Sequence, residues 1–228
     1  LADMAIVAQG LARVLLPEPL TAAAVLAARV IGDGANEALK TKLLEGLVGG
    51  DILPALAWQE AAGALDATKI SAQATPFEGG FRVNGTKKFV IGASHADGYI
   101  VSANSAQGLQ LLWVPKNAPG ASMSFDMLAD GRHSGTLNLK DVTVSKDNVL
   151  NSGAAAAASV ARALDHATAI ASAELTGIMG RSLEITLDYL KTRVQFGKPI
   201  GSFQALQHRA VDLYIQQELS GEIGRAHV

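Results

Sequence analysis

The spacing of apolar residues changes period twice along this 228-residue chain, and that double switch restricts the possible folds more than any single motif. In residues 1–16, Met4, Val7, Leu11 and Val14 recur at steps of three and four, the mark of one helix face, and Pro17-Glu18-Pro19 closes the run. An alanine-rich helix is expected near residues 21–31. Asn36 then has the right chemistry to cap a third helix, in which Leu39, Leu43 and Leu47 share a face and which Gly49-Gly50 ends. From about residue 51 the pattern becomes short apolar runs separated by turn residues, over 53–58, 70–74, 81–83, 86–91, 99–102, 109–114 and 136–144. Asn84-Gly85 falls between two such runs and predicts a hairpin. After Asn148 the helical period returns. Leu164, Ala171, Leu175, Ile178, Ile185 and Tyr189 form one stripe, and after a corner at 196–202 Leu206, Ala210, Leu213 and Gln217 begin another.

Composition narrows the function. A hydrophobic content of 49% is enough for a well-buried core, and a net charge of −2 offers no field for nucleic acid. The absence of cysteine excludes disulfides and thiolate metal sites, no metal centre is expected, and the chain reads as cytoplasmic. Residues 20–31 carry Arg29 and the run over 154–164 carries Arg162, and both are too short to span a bilayer, so no membrane span is expected. Leu1 opens inside a helical pattern with no leader, which reads as a cut. Residues 222–228 match the translated start of a common sequencing adapter. Natural sequence is therefore expected to stop near Gly221, and neither Glu222 nor His227 to carry chemistry.

Residues 193–207, RVQFGKPIGSFQALQ, concentrate side chains suited to a dinucleotide. Arg193 supplies a planar fork of donors for a pyrophosphate, Gln195 and Gln204 supply amides, and Phe196 and Phe203 supply apolar ring faces. An ordinary helix corner broken by Gly197 and Pro199 is the plain alternative. The spacing resembles the FAD contact loop of the acyl-CoA dehydrogenase family, R-x-Q-F-G-x-x-I-x-x-F-Q-x-x-Q, and the order helices, strands, helices is also that family's. The resemblance implies an α+β multidomain chain truncated at both ends. Residues 1–51 would end an N-terminal α-helical domain, 52–150 would form an antiparallel β-barrel domain, and 151–221 would form the first half of a C-terminal four-helix bundle, with 222–228 a non-native tail.

The same resemblance assigns further candidates. Residues 56–66, LAWQEAAGALD, stand where the family has a strand followed by T-E-P-x-x-G-S-D, which puts Trp58 and Gln59 toward flavin and Leu65 toward substrate. Glu60 and Asp66 match that pattern, and both are equally suited to capping turns. Residues 84–97 resemble N-G-x-K-x-W-I-T-N-x-x-x-A-D, so Phe89, Val90 and Ile91 would face flavin, with Phe89 in place of the tryptophan and Ile91 in place of a threonine hydroxyl. His95 is expected beside the site without acting in it, and Arg132 and Thr136 read as structural. Asp165 and Thr168 fall on the family's L-D-x-x-R helix motif, with Thr168 where a substrate-side arginine belongs. The family's base lies beyond residue 228, so no catalytic residue is assigned, and Glu174 and Glu184 read as solvent-facing.

What the resemblance implies is an FAD-dependent oxidation of an acyl-CoA thioester to its 2-enoyl form, with electrons passed to an electron-transfer flavoprotein. Leu187 to Arg193, LDYLKTR, resembles the small-subunit type of pimeloyl-CoA and steroid side-chain dehydrogenases, which work as mixed pairs. A homo- or hetero-oligomer with an acyl-CoA dehydrogenase subunit is therefore implied. A catalytically silent partner subunit, or an acyl-CoA oxidase or flavin monooxygenase of the same fold, are the alternatives.

Overall fold

The computed structural model describes residues 1–63 and 66–226. The chain divides into two compact units, one formed by Pro17–Ala167 and the other by Leu1–Leu16 with Thr168–Val228.

In the first unit a π-helical turn, Thr21–Ala27, runs directly into α2 (Ala28–Gly32), and its small residues bring this helix against strand β1 (Pro54–Ala57). Helix α3 (Glu37–Gly49) starts where the sequence places it: the Asn36 side chain accepts from the Leu39 amide at 3.1 Å and Gly50 closes the other end in the left-handed conformation. Asn36 also donates to the carbonyls of Asp147 and Val149, so the cap ties α3 to the segment leading into strand β8 (Val149–Ser152).

The sheet has eight strands. Besides β1 and β8 they are β2 (Gln73–Phe77), β3 (Gly80–Ile91), β4 (Gly98–Ser105), β5 (Gly108–Pro115), β6 (Ala121–Met127) and β7 (His133–Ser145). Their order is β6-β7-β3-β2-β4-β5-β8, with β1 also on β4. Two features correct the expected closed antiparallel barrel. β6 and β8 are opposite edges that do not pair, and β1 and β2 both run parallel to β4. β2 meets β4 through the single register pair Gln73↔Asn104, because β1 already occupies residues 98–101 of β4, so the sheet opens there.

Asn84-Gly85 is not a hairpin turn. Both residues lie inside β3, where two residues of β7 oppose Asn84, and the bulge residue Asp141 takes a φ of 53°. Asn84 satisfies that irregularity by donating to the Asp141 carboxylate at 3.1 Å and accepting from its amide at 2.8 Å. The β2–β3 turn lies earlier, beyond the Phe77↔Gly80 pair.

Helix α4 (Gly153–Thr192) contributes to both units. Its packed side past Thr168 is not the predicted stripe. Ile170, Thr176, Gly177, Gly180 and Leu183 are buried, whereas Leu175, Ile178, Ile185 and Tyr189 are exposed. Helix α1 (Ala2–Ala12) explains the difference: a Cβ at Gly177 would sit 2.2 Å from the Gln9 carbonyl oxygen, so only small residues fit where α1 crosses. α1 likewise buries Ala8 and leaves Val7 exposed, and Val14, just past its end, is exposed as well. Arg13 holds the two helices together through both carboxylate oxygens of Glu184, at 2.6 and 2.7 Å. After α4, strands β9 (Val194–Gln195) and β10 (Lys198–Pro199) form a short hairpin, and a 3-10 turn at Ile200–Ser202 leads into α5 (Gln204–Ala226).

Candidate functional site

In the unit Pro17–Ala167 the candidate residues gather where the chain leaving β1 meets the second irregularity of β3. Lys87 pairs with Leu137 and Val90 with Gly135, so Lys88 and Phe89 together oppose only Thr136. The extra residue is absorbed at Phe89, whose φ is 56°. A bulky residue in this region costs about 1–2 kcal/mol and points to a functional constraint. The Phe89 ring is 42% exposed. The Lys88 amide donates to the Gln59 carbonyl at 2.8 Å, bringing Trp58, Gln59 and Phe89 into one edge. Trp58 is half-buried against the core, and the Gln59 amide turns back to the Ala61 carbonyl at 3.2 Å. Val90 is 1% exposed, so its side chain belongs to the core and only its backbone is left for a ligand. Ile91 is exposed and lines a cleft of about 250 Å³ with Pro19, His95, Arg132 and His133. Arg132 is committed there to Asp130 at 2.6 Å.

Beneath this edge lies a charged pair. Lys87 is fully buried, and its ammonium donates to Glu60 Oε1 at 2.6 Å, Ser102 Oγ at 3.1 Å and the Trp58 carbonyl at 3.3 Å. Glu60 also accepts from the amides of Ser71 and Ala72 at 2.7 and 3.0 Å and from the Ser71 hydroxyl. Partial burial alone would push the Glu60 carboxyl up, but the donors, Lys87 first and then Ser71 and Ala72, together outweigh it and hold the group at about 2. Burial pushes the Lys87 ammonium down, and the Glu60 charge opposes that shift. Glu60 is thus a structural anchor, and Asp66 is a turn cap that accepts from the Thr68 amide and hydroxyl at 3.0 and 2.6 Å. Leu65 lies outside the described residues.

In the other unit the β9–β10 hairpin turns through Phe196 and Gly197, with φ of 54° and 78°. Both central residues in the left-handed region define a turn that prefers Asn-Gly. A phenylalanine here is strained, and its ring is 91% exposed. It meets Phe203 edge to face at 6.2 Å, and the Lys198 ammonium sits 4.5 Å over the Phe203 ring. Arg193 and Gln204 are exposed, and among the described residues nothing engages the Arg193 guanidinium. The Gln195 amide is satisfied by the Val194 carbonyl at 2.7 Å. The hairpin therefore presents a free donor fork and a ring, with the Gln204 amide following at the start of α5.

Asp165 and Thr168 are both exposed on α4, three residues apart. Glu184 is held below the usual carboxylate range chiefly by its hydrogen bond from Arg13 and is committed to that clamp. Among the described residues no three histidine or carboxylate side chains gather for a metal ion, and no helix is long and apolar enough to cross a membrane. Lys87 is the candidate that reading the sequence does not single out. Counting in twos from the core residues Phe81 and Val83 does place it inward, because the bulge opposite Asn84 lies on β7 and leaves the alternation of β3 intact.

Two family models match the chain: the acyl-CoA dehydrogenase middle domain over residues 55–142 and the acyl-CoA dehydrogenase C-terminal domain over residues 151–223. The chain belongs to the acyl-CoA dehydrogenase family. It is 31% identical over 194 residues to L-prolyl-(peptidyl-carrier protein) dehydrogenase of Serratia sp., covering 81% of this chain and 50% of that protein. Among solved structures, the ChsE4-ChsE5 complex from Mycobacterium tuberculosis superposes with a TM-score of 0.85 at 26% identity, covering 99% of this chain and 60% of that one. The FAD complex of PigA gives 0.88 at 27% identity, covering 99% and 62%. The chain spans about half the length of the curated relatives it matches.

Proposed function

We propose that this chain is part of an FAD-dependent acyl-CoA dehydrogenase that oxidises an acyl-CoA thioester to the 2-enoyl thioester and passes electrons to an electron-transfer flavoprotein. The observation that carries the reading is the hairpin turn at Phe196. Backbone strain, a ring left 91% exposed with Phe203 as its aromatic contact, and a neighbouring unengaged guanidinium together fit a dinucleotide. In its own unit Arg193 would meet the pyrophosphate of a flavin with Gln204 and Phe196 at its flanks, which the family resemblance assigns to the flavin of a neighbouring subunit; in the unit Pro17–Ala167, Phe89 with the Trp58–Gln59 backbone would separately face a flavin ring system. FAD, when bound, supplies the acceptor for the hydride leaving the β carbon of the substrate. Removal of the α proton requires a carboxylate, and no residue of this chain is assigned that task.

A second reading, a partner subunit that completes another chain's flavin site, is favoured by the side chains on the substrate side. Ile91 puts an apolar group into the cleft where a hydroxyl donor is expected, Thr168 replaces an arginine, and Leu65 a serine. The ChsE4-ChsE5 neighbour is itself a complex of two components.

Two substitutions test the cofactor reading. Arg193→Ala is expected to weaken FAD retention by about 1.5–3 kcal/mol, with lysine restoring only part because it lacks the fork. Phe196→Asn suits the turn better and is expected to raise the melting temperature while lowering FAD affinity. Both are made in the full-length protein, and FAD titration of its apoprotein with unchanged affinity in both variants would remove the assignment.

A further inference from the structure

We propose that Lys87 is the positioning residue of the flavin-facing edge, fixing the Trp58–Glu60 segment and the Phe89 bulge in the arrangement that receives the cofactor; this rests on the flavin reading above. Lys87 is the last residue of β3 in register with β7 before the bulge. It is 0% exposed and cannot meet a ligand itself. Its ammonium reaches Glu60, Ser102 and the Trp58 carbonyl, three acceptors for three protons. The next residue, Lys88, donates its amide to the Gln59 carbonyl at 2.8 Å. The two segments of the edge are therefore joined twice over adjacent residues, once by main chain and once by the buried charge. Glu60 then carries the constraint to Ser71 and Ala72, closing the loop that leaves β1.

An apolar side chain of similar volume would fill this space at lower desolvation cost, so packing alone does not account for a lysine. What the charge adds is direction. It needs its acceptors at fixed places, and two of them, the Trp58 carbonyl and the Glu60 carboxylate, belong to the segment assigned to flavin. The strained Phe89 backbone begins two residues away and depends on the same anchor.

The test compares the full-length parent protein, of which this chain is part, with Lys87→Met, Glu60→Gln, the double variant Lys87→Met/Glu60→Gln, and Ser102→Ala. FAD dissociation constants, the visible spectrum and midpoint potential of bound flavin, and melting temperature are measured for each. The double variant strands no charge and is expected to fold with a melting temperature near the parent's. Its FAD affinity is expected to fall about tenfold to a hundredfold, as when supporting residues of a bound group are lost, with a displaced flavin absorption maximum. A merely structural pair would lower the melting temperature and leave that spectrum in place. Ser102→Ala keeps both charges and removes one acceptor, so the same readings should move in the same direction by less. Parent-like affinity and spectrum in the double variant and in Ser102→Ala overturn the proposal. A full-length parent, assembled with any partner subunit it needs, that takes up no FAD removes the flavin reading and this inference together, whereas a parent that binds FAD alongside variants that match it removes this inference alone.

Discussion

At the scale of single residues, Glu60 shows how much a carboxylate gains from being surrounded by donors. Its folded pKa of about 2 lies below the ordinary 4.5, so the unfolded chain binds the extra proton first as acid is added. The resulting stability is fully present above about pH 4.5 and is lost as pH falls toward about 2. With the side chain only 13% exposed, that contribution is at most on the order of 3 kcal/mol. Glu60→Gln should therefore flatten the stability curve between those two values and lower it at neutral pH, where it also leaves the Lys87 charge without its partner. Urea unfolding across the acid range checks this; a curve parallel to the parent's would mean that the pair is not formed in solution. The residue pattern made Glu60 legible only as a match or a turn cap. Its partner was obscured because a lysine counted inward along a strand is ordinarily read as an error of register.

At the scale of elements, the sequence was most readable where local chemistry and packing agree. α3 begins at the Asn36 cap and ends at Gly50, as those residues demand, because its Leu39 and Leu43 are also the ones buried. Two strong local signals were overruled by tertiary structure. Asn84-Gly85 has hairpin chemistry but serves a bulge, since β7 continues alongside β3 on both sides of it. The apolar stripe of α4 is real but faces outward past Thr168, because the approach of α1 favours glycine and alanine over leucine. This makes opposite predictions for one substitution at two helical glycines. Gly177→Ala would gain helix propensity of about 1 kcal/mol but thrust a methyl to 2.2 Å from the Gln9 carbonyl oxygen, so a net loss of about 1–3 kcal/mol is expected. Gly10→Ala, with nothing within 4 Å, should stabilise by up to about 1 kcal/mol. Chemical denaturation of the two variants gives the comparison, and equal signs would show that α1 does not pack on α4 as described.

At the scale of the whole molecule, the unit containing α1, the later part of α4 and α5 carries more exposed apolar surface than a self-sufficient helical domain needs. Leu175, Ile185 and Tyr189 on α4 are exposed, and on α5 so are Val211, Leu213, Tyr214, Ile215 and Leu219. Residues 213–215 are consecutive and point around the α5 axis, so apolar side chains leave this otherwise polar helix in more than one direction. Surfaces of this kind draw in further helices, whether from the same chain, another copy or a related subunit. The 228-residue chain on its own is therefore expected to self-associate and to lack stoichiometric FAD, because the unit that displays the Phe196 hairpin leaves these apolar faces uncovered. Sedimentation velocity at several concentrations, with flavin absorbance recorded on the same boundary, measures both properties at once. Leu213→Glu with Ile185→Lys should reduce association without disturbing the unit Pro17–Ala167, since neither side chain belongs to that unit. A monodisperse, fully flavinated monomer would contradict the prediction. An association unmoved by the two charges would place the contact elsewhere, whereas a paired acyl-CoA dehydrogenase subunit that suppresses it and restores FAD would favour the mixed assembly.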